Sequence, residues 1–338
     1  MERSHFARII NSIVIPEGLP VEEINARVQP ISLAIREMMP KSLFRFRSFN
    51  DNSFGAFRDG IIYAVTADRF NDPYDTLARY DLEEIEKGVN AIADCEAVEQ
   101  LQGWLKQGND FPEYIKRSLP SGFTDALREK LLSIEDIKTM EDHIQESRLE
   151  MISSIEVLFP VLSEMNKRFS AVACFCESVR PVLMWSHYAD SHKGFALEYN
   201  FRSTLDHPLK NVALFPVIYG EERVDISAYI AWEYLFIRGL RAPNPDTSFS
   251  IKNALYKSSV WEYEQEWRLI DSTPRDIADE KPSAIPFEPV AIYYGRYISR
   301  EHKQQLHAVA QEKGIKEFEM FVDYSSPLYE MQYRPAVF

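Results

Sequence analysis

The segment from Trp261 to Arg268 alternates with a period of two, which is typical of a β-strand. One face of this predicted strand carries Trp261, Tyr263, Gln265 and Trp267, and the other carries Glu262, Glu264, Glu266 and Arg268. Three carboxylates on one face repel each other, so each disfavours the ionisation of its neighbours. The face is therefore either well solvated or part of a site with cationic partners, and the pattern leaves both interpretations open.

The hydrophobic pattern along the rest of the chain predicts further strands and helices. Strands are predicted at residues 42–49, 60–66, 171–176, 195–199, 212–219, 262–270 and 290–294. Helices are predicted at residues 21–39, 182–189 and 301–313, and Pro40 ends the first of them. We therefore expect an α+β fold with a mixed, mostly antiparallel sheet, in a single domain that spans residues 1–338.

Residues 81–169 differ from the rest of the chain in charge and in pattern. This segment contains 10 basic and 19 acidic residues, so it contributes −9 to a net charge of −14. Apolar residues at helical spacing predict a long helix that begins near Ser133. We interpret the segment as an acidic helical insertion in the α+β domain, and as the candidate surface for a protein partner.

Composition narrows the class of protein. With 45% hydrophobic and 13% aromatic residues the chain can build a substantial core. The net negative charge argues against broad binding to nucleic acid or to an anionic membrane. The three cysteines suit a reducing compartment, and the apolar run at residues 9–15 is too short to span a bilayer. We expect a cytoplasmic protein with no membrane attachment.

Arg45 and Arg47 lie on one face of the strand predicted at residues 42–49. Arginine suits bidentate contacts with phosphate or carboxylate groups. The two arginines therefore either hold an anionic ligand or pair across the sheet with Glu262, Glu264 or Glu266.

Residues 71–75 form a predicted turn, because Pro73 disfavours a helix at Asp72. The turn is either purely structural or a loop that closes over a ligand. His187 and His192 are five residues apart, which is not the spacing of two metal ligands on one helical face. The sequence shows no standard metal-ligand pattern, but a loop could bring His187, His192, Asp72 and Asp75 together, so a metal site there stays an alternative hypothesis.

Five stretches of the sequence form an ordered set. They are Leu43-Phe-Arg-Phe-Arg-Ser-Phe49, Phe70-Asn-Asp-Pro-Tyr-Asp75, Cys174-Phe-Cys-Glu177 with Met184-Trp-Ser-His-Tyr-Ala189 and His192-Lys-Gly194, Tyr263-Glu-Gln-Glu-Trp-Arg268, and Ile292-Tyr-Tyr-Gly295. In this order and spacing they resemble the bacterial domain-of-unknown-function 2971 family. That resemblance implies that the stretches belong to one domain, and it implies no activity.

A looser resemblance concerns chemistry. Arginine on an early strand, tyrosine and threonine on the next, and Glu-x-Glu late in the chain are similar to ADP-ribosyltransferases of the arginine–serine–glutamate type. The resemblance implies NAD as cofactor, with Arg45 or Arg47 at its phosphates and Tyr63 or Thr66 at the nicotinamide. Glu264 and Glu266 would be the catalytic carboxylates. Residues 64–66 read Ala-Val-Thr where that family has Ser-Thr-Ser.

The remaining residues expected to line the ligand site come from the ordered stretches. They are Asn71, Asp72, Trp185, His187, Tyr188, His192 and Arg268. The leading hypothesis is an enzyme that uses NAD or a nucleotide, as an ADP-ribosyltransferase or an NAD glycohydrolase does. The alternatives are a non-enzymatic binding or regulatory module in stress or phage defence, and a metal-dependent hydrolase or nuclease.

Overall fold

The computed structural model describes most of the chain. The described residues are 2–15, 18–90, 95–111, 123–136, 146, 150, 153–157, 159–161, 163–164, 167–168, 170–205, 212–227, 230, 246, 248–271, 273 and 281–338. Its helices are Arg3–Ser12, Val21–Met38, Asp51–Asp59, Leu82–Asn90, Cys95–Lys106, Phe123–Leu132, Val182–Tyr188, Phe249–Asn253 and Arg300–Lys313. None of the helices in this part of the chain is long and apolar enough to cross a membrane.

Twelve strands form one large sheet and one small sheet in the described residues. They are β1 (Leu43–Arg47), β2 (Ile61–Thr66), β3 (Ala171–Cys176), β4 (Phe195–Tyr199), β5 (Val212–Pro216), β6 (Ile218–Gly220), β7 (Tyr256–Ser258), β8 (Glu266–Asp271), β9 (Ser283–Pro286), β10 (Ala291–Tyr294), β11 (Lys316–Val322) and β12 (Met331–Pro335). The large sheet runs β12-β11-β10-β4-β1-β3-β2-β9, and β8 joins β3 to β5. Its pairings are antiparallel apart from β10 with β11, so the expected α+β class with a mostly antiparallel sheet is confirmed.

The large sheet splits at β3. Every residue of β3 pairs with β8 along one edge. The other edge is shared, because Val172 pairs with β2 and Cys176 pairs with β1. Residues 173–175 pair with neither of these two strands. β1 and β2 therefore diverge and leave an opening in the sheet beside the middle of β3.

Hydrophobic clusters lie on both faces of the sheet. One cluster contains Trp267 and Leu269 with Leu306 of the helix Arg300–Lys313. Another contains Ile270 with Phe6 of the N-terminal helix. Because Leu269 and Ile270 are consecutive in β8, they face opposite sides of the sheet, and helices cover the two sides. This burial holds the strands around the opening in a rigid frame.

The predicted strand at residues 262–270 is only half right. Residues Ser259–Glu264 form a 3-10 helix, and β8 begins at Glu266. Gln265 between them has a left-handed backbone with φ of 44°. A period of two therefore holds only from Glu266 onwards, and neither Glu262 nor Glu264 lies on a strand face with Glu266.

The remaining predicted strands and helices agree with the structure to different degrees. The strands at 171–176 and 195–199 are confirmed at both ends, whereas 212–219 is two strands, β5 and β6. Helices occupy parts of 81–169, but most of the helix predicted from Ser133 lies outside the described residues. The single-domain organisation stays a prediction.

Candidate ligand-binding site

Glu264 and Glu266 come together through the local backbone. Both side chains are buried, with 4% and 2% of their surface exposed. The 3-10 helix ends at Glu264, and the left-handed Gln265 turns the chain before β8 begins. Such a backbone is strained for a residue with a side chain and persists only when its surroundings hold it. Here the Gln265 side-chain amide donates to the Glu262 carbonyl at 2.8 Å.

Lys257 links the two glutamates. Its ammonium nitrogen lies 2.6 Å from Glu264 Oε2 and 2.9 Å from Glu266 Oε2. Asp75 Oδ2 lies 3.9 Å from the same nitrogen. The lysine side chain is 6% exposed, so these contacts form with little solvent between them. No pattern in the sequence pointed to Lys257, because a lysine between Tyr256 and Ser258 follows no catalytic spacing.

Arg268 is the second cation of this cluster and lies on the side away from solvent. Its guanidinium donates to Glu266 Oε1 at 2.9 Å and to Asp75 Oδ2 at 2.6 Å. A third contact runs to the carbonyl oxygen of Ala254 at 2.6 Å. Arg268 is fully buried, and it orders the carboxylates from behind.

The cluster contains three carboxylates and two cations. Burial opposes the ionisation of Glu266, but Arg268 and Lys257 outweigh it and hold the pKa of Glu266 well below its usual range. Burial, with the neighbouring Glu266, raises the pKa of Glu264. Burial also raises the pKa of Asp75. Glu266 is therefore the ionised anchor of the cluster, and Glu264 is the glutamate whose protonation can change.

Glu264 is also the glutamate that reaches outward. The Tyr188 hydroxyl donates to Glu264 Oε1 at 2.7 Å, while Lys257 donates to Oε2. Both carboxylate oxygens are therefore held in one orientation. A carboxylate fixed in this way can stabilise a positive charge or accept a proton without first reorganising.

A cavity of about 370 Å³ lies at the opening in the sheet. Residues 44–47 of β1 border it, together with Val65 of β2 and parts of β3. The buried cluster contributes Asp75, Lys257, Glu264 and Glu266 to its lining. Arginines and carboxylates therefore line one cavity, as a polar ligand with an anionic group requires.

Arg45 spans the gap between the diverging strands. Its guanidinium donates to the carbonyl oxygen of Tyr63 at 2.7 Å and lies 5.6 Å from the ring centroid of Phe175. Burial and the neighbouring Arg47 lower the pKa of Arg45 to about 9. An arginine side chain thus joins β1 to β2 where their backbones do not pair.

Arg47 has a different environment. Its guanidinium makes no hydrogen bond or ion pair with any residue that the structure describes, and burial lowers its pKa. Arg47 is the last residue of β1, and its backbone packs closely on Gly194, just before β4. The contact is so close that a Cβ atom at Gly194 would lie 2.0 Å from the Arg47 carbonyl oxygen. Arg47 is therefore held at the cavity with its donors available to a ligand.

Of the two interpretations of Arg45 and Arg47, their pairing with Glu264 or Glu266 is not found among the described residues. Within the described residues, the ion-pair partners of Glu264 and Glu266 are Lys257 and Arg268. These cations come from β7 and β8, closer along the chain than β1, so they neutralise the carboxylates locally. Glu264 and Glu266 therefore do not neutralise the charges of Arg45 and Arg47 through ion pairs.

The structure collects some of the predicted site residues and separates others. Those that line the cavity are Arg45, Arg47, Asn71, His187, Tyr188, Glu264 and Glu266. Those that do not line it are Tyr63, Thr66, Asp72, Trp185, His192 and Arg268. Trp185 is a core residue that donates to the Val179 carbonyl at 2.7 Å. The His192 ring lies 3.2 Å from the Ser186 hydroxyl, outside the cavity lining.

A second cavity of about 330 Å³ lies beside the first. Asp72 and Tyr74 line the second cavity, whereas Asn71 and Asp75 line the first. Lys257 lines both. The loop at residues 71–75 and this lysine therefore form the partition between the two cavities.

Support for the site extends to the N-terminal helix. Arg3 donates to the carbonyl oxygens of Val217 and Glu266 at 2.6 and 2.8 Å, and to Glu177 at 2.7 Å. Glu177 also accepts from the Trp267 indole at 2.8 Å. These contacts hold the first residues of β8, and hence the position of Glu266.

Metal binding gains no support from the described residues. No group of three or more His, Cys, Asp or Glu side chains in that part of the chain is placed to hold an ion. The alternative of a metal-dependent hydrolase around His187 and His192 therefore has no ligand set there.

The fold and the site define an α+β protein whose sheet splits around a cavity lined by arginines and by a buried carboxylate cluster. Residues 184–269, about a quarter of the chain, match the family model DUF2971, described as a protein of unknown function. This match supports the resemblance and covers Tyr188, Lys257, Glu264 and Glu266, but not β1 with its two arginines. Searches of curated proteins and of solved structures found no match.

Proposed function

We propose that the cavity binds NAD or a related nucleotide and that the protein is a transferase or glycohydrolase acting on its N-glycosidic bond. The observation that carries the proposal is Arg47, whose guanidinium has no partner among the described residues and lines the same cavity as Glu264. Arginine is the side chain best suited to bidentate phosphate contacts. Arg45, already held by Tyr63, adds positive charge beside it.

The size of the cavity limits how the ligand binds. Its volume of about 370 Å³ is near the lower end of the range of roughly 300–1,000 Å³ for small-molecule sites. One nucleotide unit fits such a volume, so the other half of a dinucleotide extends beyond it. The second cavity, across the partition formed by residues 71–75, offers space for that half.

Glu264 supplies the chemistry in this proposal. When the bond between the ribose C1′ and the nicotinamide nitrogen breaks, the electron pair leaves with nicotinamide and positive charge develops on the sugar. The Glu264 carboxylate stabilises this charge, and Lys257 and Tyr188 hold its two oxygens in place. Water or an acceptor hydroxyl then forms the new bond to C1′ and loses a proton, which Glu264 can accept.

The test is incubation of the pure full-length chain with NAD, with nicotinamide release measured by chromatography. We expect release by the wild type, a loss of at least about a hundredfold in Glu264→Gln, and weaker NAD binding in Arg47→Ala. Glu288→Gln and Arg334→Ala are the matched controls, because these two side chains are 63% and 61% exposed. A folded protein that neither releases nicotinamide nor melts at a higher temperature with NAD refutes the proposal.

A further inference from the structure

Asp75 has one carboxylate oxygen that the fold leaves without a partner. Its Oδ2 accepts from Arg268 at 2.6 Å and lies 3.9 Å from the Lys257 nitrogen. Its Oδ1 is buried and has no hydrogen-bond partner among the described residues. Buried polar atoms are nearly always hydrogen-bonded, so an unpaired one requires an explanation. Asp75 lines the first cavity, where a ligand can supply that partner.

The surroundings of Asp75 restrict the chemistry of the partner. Lys257 and Arg268 already face this carboxylate, so a further cation would meet two like charges. Burial raises the pKa of Asp75, so its ionised and protonated forms lie closer in free energy than for an exposed aspartate. A hydroxyl can donate to the ionised form and accept from the protonated form, so it fits both.

The cavity therefore presents two complementary unmet groups. Arg47 has donors without an acceptor, and Asp75 has an oxygen without a partner. We infer that Asp75 binds a free sugar hydroxyl of the ligand whose phosphate is held by Arg47, so that the cavity selects nucleotides whose sugar carries that hydroxyl over nucleotides that lack it. This inference rests on the proposed function, which it deepens by naming the feature that distinguishes the substrate class.

The test compares ligands that differ only in hydroxyl groups. Dissociation constants are measured by calorimetry for AMP, 2′-deoxy-AMP, 3′-deoxy-AMP and 2′,3′-dideoxy-AMP with the wild-type chain. We expect the dideoxy compound, and one of the two monodeoxy compounds, to bind about tenfold to a hundredfold more weakly than AMP. This series needs no substitution, so it remains informative even if a variant at Asp75 fails to fold.

Two variants assign the effect to Asp75. In Asp75→Ala the preference for AMP over the dideoxy compound should disappear, and in Asp75→Asn it should shrink severalfold because a neutral acceptor replaces a charged one. Asp323→Asn is the control, since Asp323 lies in a remote loop where it accepts from Ser325 at 2.9 Å. The control should keep the full wild-type preference.

The outcomes separate this inference from the proposed function. Equal affinity of the wild type for all four nucleotides, with nicotinamide still released from NAD, overturns only the role of Asp75 and means that a water alone pairs with its oxygen. A preference that is unchanged in Asp75→Ala also overturns that role. If none of the four nucleotides binds and NAD is not cleaved, both ideas fall together.

Discussion

Replacing Lys257 by methionine tests the buried charge cluster most directly. Methionine keeps most of the side-chain length but removes the charge that lies within 3 Å of two buried glutamates. Breaking a buried ion pair by removing one partner costs about 3–5 kcal/mol, because the remaining charge is left uncompensated. With two carboxylates affected at once, we expect the free energy of unfolding at pH 7 to fall by at least the lower end of that range.

The decrease in the free energy of unfolding of Lys257→Met should also depend on pH in a defined direction. Lys257 acts to lower the pKa of Glu264, whose ordinary value is 4.5, and its removal raises that pKa further. A folded-state pKa above the unfolded value means that the folded protein binds more protons, so stability rises as the pH falls towards about 4.5. The difference between Lys257→Met and the wild type should therefore shrink between pH 7 and pH 5.

The assay is urea unfolding at several pH values, followed by fluorescence and by circular dichroism. Lys87→Met is the matched control, because Lys87 pairs with Glu83 at the surface, where the two side chains are 68% and 76% exposed, and such pairs contribute about 0–1 kcal/mol. The reasoning is refuted if Lys257→Met costs no more than Lys87→Met at pH 7. It is equally refuted if the cost does not change as the pH falls.

Four further substitutions address the site and the frame around it. Gly194→Ala should destabilise the protein by several kcal/mol in thermal melts, because the added Cβ would lie 2.0 Å from a backbone oxygen. Gly55→Ala, inside the helix Asp51–Asp59, should instead raise stability by about 0.5–1 kcal/mol, because its Cβ would meet no neighbouring element within 4 Å and alanine favours a helix more than glycine does. Tyr188→Phe removes the hydroxyl that donates to Glu264 and should lower both the stability, by about 1.5–3 kcal/mol, and the rate of nicotinamide release. Asn50→Ala removes the capping box of the helix Asp51–Asp59 and should cost about 1 kcal/mol in urea unfolding, with no effect on NAD cleavage.

Strongly patterned segments were predictable because their local pattern and their burial agree. The strand at residues 171–176 is almost wholly buried and reads as a continuous apolar run bounded by serine and glutamate. β12 was missed because its apolar–polar alternation covers only the four residues from Met331 to Arg334, and only Met331 of the strand is buried. Its place in the sheet comes from pairing with β11, which is a long-range contact.

The segment around Gln265 shows where a local pattern misleads. Its alternation is as regular as that of a strand, yet Ser259–Glu264 is a 3-10 helix. The turn depends on a left-handed residue that is not glycine, held by its surroundings and not by its own propensity. The two glutamates still converge, but through that turn.

The sequence by itself determined the fold class, most of the central strands and seven of the residues that line the cavity. It did so because period-two patterns, helix boundaries and clustered charges are local properties of the chain. Only the tertiary structure decided which charges meet. Asp75 joins Lys257 and Arg268 from a distant part of the chain, and Lys257 contacts Glu264 and Glu266 from the separate strand β7. Electrostatic pairing depends on distance and burial, which the sequence pattern does not give. The tertiary structure also decided that Arg47, which has no partner in the described residues, lines the same cavity as Glu264, at the opening between β1 and β2.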